Sequence, residues 1–164
     1  MSLPDLAAVL WRQRELLERL VYRLECEQLL VAAGRTRFIA LATGEIETLL
    51  DEMQVVELQR ARIADVAAAE YGLPAGSTLE TLAGTAQPPW SEVLLEHRQA
   101  LVTLTGELAV LAESNRHLMA AGLAAVEQAL VGLGLRQEST SVGYDAHGRR
   151  AFATGGAIAV DRSL

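Results

Sequence analysis

The chain has 164 residues, 51% of them hydrophobic but only 4% aromatic, and its 14 basic and 21 acidic residues give a net charge of -7. That length suffices for one domain with a sizeable core, and a core poor in aromatics suits Leu, Ala, Val and Ile meeting along helical seams better than a β-sandwich. Every basic residue is arginine and acids are in excess, so no broad cationic surface exists to neutralise phosphates, which argues against nucleic-acid binding.

The opening "MSLPDLAAVLW" has no basic n-region and meets Asp5 early, unlike a secretory leader, and no apolar run approaches the ~18 residues of a membrane span. No stable membrane insertion is expected. Cys26 is the single cysteine, so an internal disulfide or a cysteine-rich metal site is ruled out and a reducing cytoplasm is the expected compartment.

Sparse prolines divide the chain into helical stretches. In the first, Leu3, Leu6, Leu10, Leu17, Leu20, Leu24 and Val31 alternate at three- and four-residue spacing, with Gln13 and Glu27 as polar interruptions. Pro4 suits a first turn, and either Gly34 or "TGE" at Thr43 marks the break. The second stretch keeps the alternation through Ile39, Ala42, Ile46, Leu49, Met53, Val56, Ile63 and Ala67, interrupted by Arg60, until "YGLPAG" ends it. "STLE" from Ser77 to Glu80 reads as a capping box for a short helix closed by Gly84.

A third long helix starts near Pro89, with Leu94, His97, Leu101, Leu104, Leu108, Leu111, Asn115 and Leu118 as its seam. Further on, that register reads Gly122, Ala125, Ala129 and Gly132, while the large side chains move over to Met119, Leu123, Val126, Leu130 and Leu133. The apolar stripe thus turns by about 100 degrees, one residue step. Periodicity leaves two readings of it: core covered by another segment, or a surface for a partner. Asn115 on the seam either fixes register or orients the partner-binding part.

The expected fold is all-α, an elongated antiparallel bundle of three long helices with a short connecting helix. It occupies residues 1–134, and residues 135–164 form a Gly- and Ser-rich tail. "VGYDAHGRRAF" reads as a hairpin turn or flexible chain, and "AIAV" as a short strand.

No catalytic constellation emerges. His97, His117 and His147 are far apart and show no zinc spacing, and Asp145 with His147 reads as a polar turn. Neither "GTAQPP" nor "TGGA" matches a phosphate-cradling loop, and the acidic neighbours of Cys26 work against an activated thiol. The carboxylates Glu45, Glu47, Asp51 and Glu52 lack the inward Glu-x-x-His pattern of a bundle metal site. No catalytic residue, metal or cofactor is expected.

The order of "LLVAAGRTRFIALATGEIETLL", "ELQRA", "YGLPAGSTLETLA", "PPW", "EHRQALVTLTGEL", "NRHLMAAG", "YDAHGR" and "DRSL" resembles the FlgN family of flagellar export chaperones, most closely the actinobacterial form. The resemblance implies a cytoplasmic helical chaperone that binds C-terminal helices of the hook-filament junction proteins FlgK and FlgL and docks at the export gate protein FlhA. It assigns Met119, Leu123, Val126, Leu130 and Leu133 to the client and Tyr144, through the pattern Tyr-x-x-x-Gly completed by Gly148, to the gate. A competing reading is a structural bundle whose stripe forms a weak homodimer.

Overall fold

The computed structural model describes residues 2–132, and among them every regular element is helical. α1 spans Ser2–Ala32, α2 Ile39–Glu70, α3 Leu79–Thr85 and α4 Trp90–Gly132, with a single 3-10 turn at Thr36–Phe38 before α2. Three long helices packed together with one short helix are thus the observed fold. Two compact units divide the chain, the bundle at Met1–Ala124 and a second unit at Ala125–Leu164, described only over 125–132.

α1 and α2 end by the same device. Gly34 and Gly72 have φ of +66° and +70°, which a residue with a Cβ adopts only with strain. Each lets the next amide reach back five residues, Arg35 to the Leu30 carbonyl at 2.9 Å and Leu73 to that of Ala68 at 2.8 Å. The first break therefore falls at Gly34, and Thr43 lies inside α2. At α3 the N-cap is Thr78, one residue past the expected Ser77, and its hydroxyl accepts the Thr81 amide at 3.1 Å. Glu80 takes no part in a capping box but pairs with Arg98 of α4 at 2.9 Å, and Ala86, not Gly84, closes the helix.

α1 and α2 are antiparallel: Ser2 bonds to Glu70, Gln13 to Glu57, and Glu27 accepts from Thr43. α4 runs parallel to α1, since Arg14 pairs with Glu96 and Gln28 with Ser114. The seams read from periodicity are largely those used. Leu3, Leu6, Leu10, Leu17, Leu20 and Leu24 are buried on α1, and Ala42, Ile46, Leu49, Val56 and Ala67 on α2.

The core falls into two apolar clusters. One gathers Leu3, Leu6 and Leu10 with Ala64, Ala67, Leu82, Ala83, Ala86 and Leu94, so α3 closes that end of the bundle. The other gathers Leu16, Leu20, Leu24, Ile46, Leu49 and Val56, with Leu108, Leu111 and Ala112 of α4 packed against it. Between them lie Gln13 and Arg60, which both donate to Glu57, while Gln13 Oε1 is buried without a partner. Gln13 donates to Glu57 Oε2 at 2.8 Å, and Arg60 donates to the same oxygen at 3.0 Å and to Oε1. The Arg60 guanidinium, more than the Gln13 amide, holds the Glu57 carboxyl below its ordinary range.

On the α4 side of this level His97 is 1% exposed, with Arg14 Nη1 at 3.5 Å from its Nδ1 and Trp11 edge-on at 5.0 Å. Burial first, and the Arg14 charge second, lower the His97 pKa below the ordinary value of 6.5, against a smaller opposing pull from Glu96. A base lowered in the fold binds its proton better in the unfolded chain, so stability present above about pH 6.5 is lost as pH falls toward the folded value. The urea midpoint should therefore decrease between about pH 7.5 and about pH 5.5, above the range where carboxylates titrate, and His97→Gln should flatten that slope. An unchanged slope in the variant would assign the pH dependence to other groups.

Candidate functional site

α4 loses its cover in steps. Leu94 and His97 are enclosed, Leu101, Leu104, Leu108 and Leu111 are half-buried, and Asn115 is the last buried residue of the helix. Its Nδ2 donates to the Leu24 carbonyl at 2.9 Å and to Glu27 Oε2 at 3.0 Å. Glu27, 4% exposed, accepts the Thr43 hydroxyl through Oε1 at 2.8 Å. One side chain each from α1, α2 and α4 thus meets around a buried carboxylate. Asn115 Oδ1 is buried without a partner.

The expected seam stops here, because Leu118 is 37% exposed and lies off the core. In the remainder of the bundle unit Met119 is half-buried and Leu123 is 63% exposed, and a Cβ built on Gly122 would meet no atom within 4 Å. In the second unit every described residue is exposed, Val126 and Leu130 included. Leu133 and Tyr144 lie outside the described residues, as does the tail with its hairpin and strand readings.

Two groups escaped the sequence reading. Thr43, weighed as a helix break, supplies a hydroxyl to Glu27. Trp11, Arg14 and His97 form a stacked group, with the guanidinium 4.4 Å from the indole centroid. The readable signal was the polar seam residues Glu27, His97 and Asn115, whereas Thr43, Trp11 and Arg14 stand off the seams and only the tertiary structure shows that they meet them.

Among the described residues no group of three or more His, Cys, Asp or Glu could hold a metal ion, and no helix is long and apolar enough to cross a membrane. The buried polar groups hold helices together, and large apolar side chains stand in solvent on α4. Such an arrangement defines a small helical binding protein.

The family model described as FlgN protein matches residues 1–151, and the chain belongs to that family. Its members are flagellar export chaperones for hook-associated proteins, FlgK and FlgL, and are not enzymes. The match is to the family as a whole and gives no support to a specifically actinobacterial form. No curated protein and no solved structure matches the chain.

Replacing Asn115 by Ala removes two donors from buried oxygens, and the expected cost is about 1–3 kcal/mol in denaturant unfolding. Leu118→Ala, at an exposed position, should stay within about 0.5 kcal/mol of the parent. Equal effects at the two positions would mean that Asn115 carries no special share of the helix alignment.

Proposed function

We propose that the stripe of Met119, Leu123, Val126, Leu130 and Leu133 receives the amphipathic C-terminal helices of FlgK and FlgL in the cytoplasm. The observation that carries this reading is the exposure of Leu123, Val126 and Leu130 on a helix whose buried seam ends at Asn115. A client helix meant for a filament has an apolar face that associates nonspecifically until covered. A large aliphatic side chain fully buried on binding contributes about 1.5–3 kcal/mol, so a few of them offset an ordering cost of about 2–5 kcal/mol. Small residues around Gly122 give a second helix room to approach.

In this reading residues 1–134 are the chaperone domain and 135–164 a tail that carries Tyr144, the residue assigned to docking at FlhA. Support for Tyr144 is its place in "YDAHGR", which matches the family's Tyr-x-x-x-Gly pattern. Self-association of a structural bundle through the same stripe is the competing use of it, and light scattering across concentration separates the two, since a client-binding chaperone stays mainly monomeric or weakly dimeric.

Calorimetric titration with a peptide from the C-terminal helix of FlgK should give micromolar or tighter binding. A Leu123→Asp, Leu130→Asp variant should bind at least ~100-fold more weakly with unchanged helical circular dichroism, since two buried aliphatic contacts are lost. Retained affinity would remove the stripe from the client site, and unfolding of the variant would make it core. Tyr144→Ala should weaken binding to the cytosolic domain of FlhA at least ~10-fold without altering the FlgK titration. Parent-like FlhA binding and export would remove the docking role.

A further inference from the structure

The outward side of α1 carries a second line of side chains, which touches the bundle interior only where Trp11 meets His97. Trp11, Glu15, Glu18, Tyr22, Glu25 and Leu29 follow at alternating four- and three-residue steps, so they share one face, and all six are exposed. Trp11, Tyr22 and Leu29 are 56%, 57% and 69% exposed, unusually open for side chains of that size. An open depression of about 470 Å³ lies beside Trp11, bordered by Glu15, Glu18 and the arginines at 12 and 14.

Of the four arginines of α1 only Arg12, beside the depression and without an ion pair among the described residues, is left to offset this line. Arg14 pairs with Glu96 of α4 at 3.3 Å, and Arg19 and Arg23 reach Glu52 and Glu45 of α2 at 3.9 and 3.0 Å. Glu15, Glu18 and Glu25 have no ion pair among the described residues. The inward-turned arginines also steady the aromatics, Arg14 over the Trp11 ring at 4.4 Å and Arg23 beside that of Tyr22 at 5.4 Å. Aromatic contacts held in place before binding lose little freedom on docking.

We propose that this face of α1 docks a cationic amphipathic helix of a protein partner. The partner's apolar side chains would sit on Trp11, Tyr22 and Leu29, and its Lys or Arg side chains would meet Glu15, Glu18 and Glu25. Charge selects this occupant. A second copy of a chain of net charge -7, a nucleic acid or an anionic lipid surface would each bring like charge against three unpaired carboxylates. The proposal stands apart from the client stripe on α4 and does not rest on it.

The test uses the full chain in a Trp90→Phe background, which leaves Trp11 as its one tryptophan. The probe is an amphipathic Leu/Lys helical peptide with Leu at three- and four-residue spacing, and its control is the Leu/Glu twin. Binding of the Lys peptide should shift Trp11 emission and weaken with added salt, and the Glu twin should do neither. Glu15→Gln, Glu18→Gln, Glu25→Gln together should lower affinity about tenfold, the summed effect of three exposed ion pairs. A second triple, Glu47→Gln, Asp51→Asn, Glu107→Gln, removes equal charge from other exposed sites and should change it far less. Equal weakening in both triples, silence of Trp11, or loss of binding in the Leu123→Asp, Leu130→Asp variant would each overturn the proposal.

Discussion

A carboxylate taken out of water must be met by donors, because its desolvation costs more than most single contacts return. Glu27 is such a group, and its donors come from two other helices, the Thr43 hydroxyl of α2 and the Asn115 amide of α4. A slip of either helix by one turn would take one of the two donors from the buried carboxylate, so this meeting ties the heights of all three helices together. Asn115 Oδ1 remains without a partner, which lowers the net gain of the group. Its value lies in alignment more than in stability, as with a polar residue at a coiled-coil core position.

The rest of the bundle follows from that alignment. With α1 and α2 held antiparallel, Gln13, Glu57 and Arg60 fall at one level, where Gln13 and Arg60 donate to Glu57 and Gln13 Oε1 stays without a partner. They divide the core into two apolar clusters, the first closed by α3 and the second ending at the Glu27 level. On α4 the same alignment decides which apolar residues are used for folding. Leu94, Leu101, Leu108 and Leu111 pack on the clusters, whereas Leu118 and Leu123 do not. A family of export chaperones for hook-associated proteins needs apolar surface that its own core has not consumed, and large apolar side chains stand exposed on α4 both before and after Asn115.

Charge is distributed to a related end. Three of the four arginines of α1, Arg14, Arg19 and Arg23, turn toward carboxylates of α2 and α4, so these cations act between helices and excess acid remains outside. Exposed pairs of this kind add little stability each. Their larger effect is on solubility, since a protein of net charge -7 with several exposed aliphatic side chains repels its own copies.

The all-helical class and the seams of α1 and α2 were legible in the sequence, because helical period is a local signal, while the end of α1 was legible only as a choice between Gly34 and Thr43. The turn of the α4 stripe at Met119 was legible for the same reason. Local pattern was less decisive at α3, where Ser77 and Thr78 both offer a hydroxyl and only the backbone path selects Thr78 as the cap. Periodicity also ran the α4 seam on through Leu118, since it cannot say how far a partner helix reaches along it. That reach depends on the pairing of Asn115 with Leu24 and Glu27, residues about ninety positions away, and so on the relative heights of whole helices. The sequence by itself determined which residues are able to be buried, through a period that each helix carries within itself. Only the tertiary structure decided which of them are, because burial is a relation between helices and depends on the register at which their polar groups find one another.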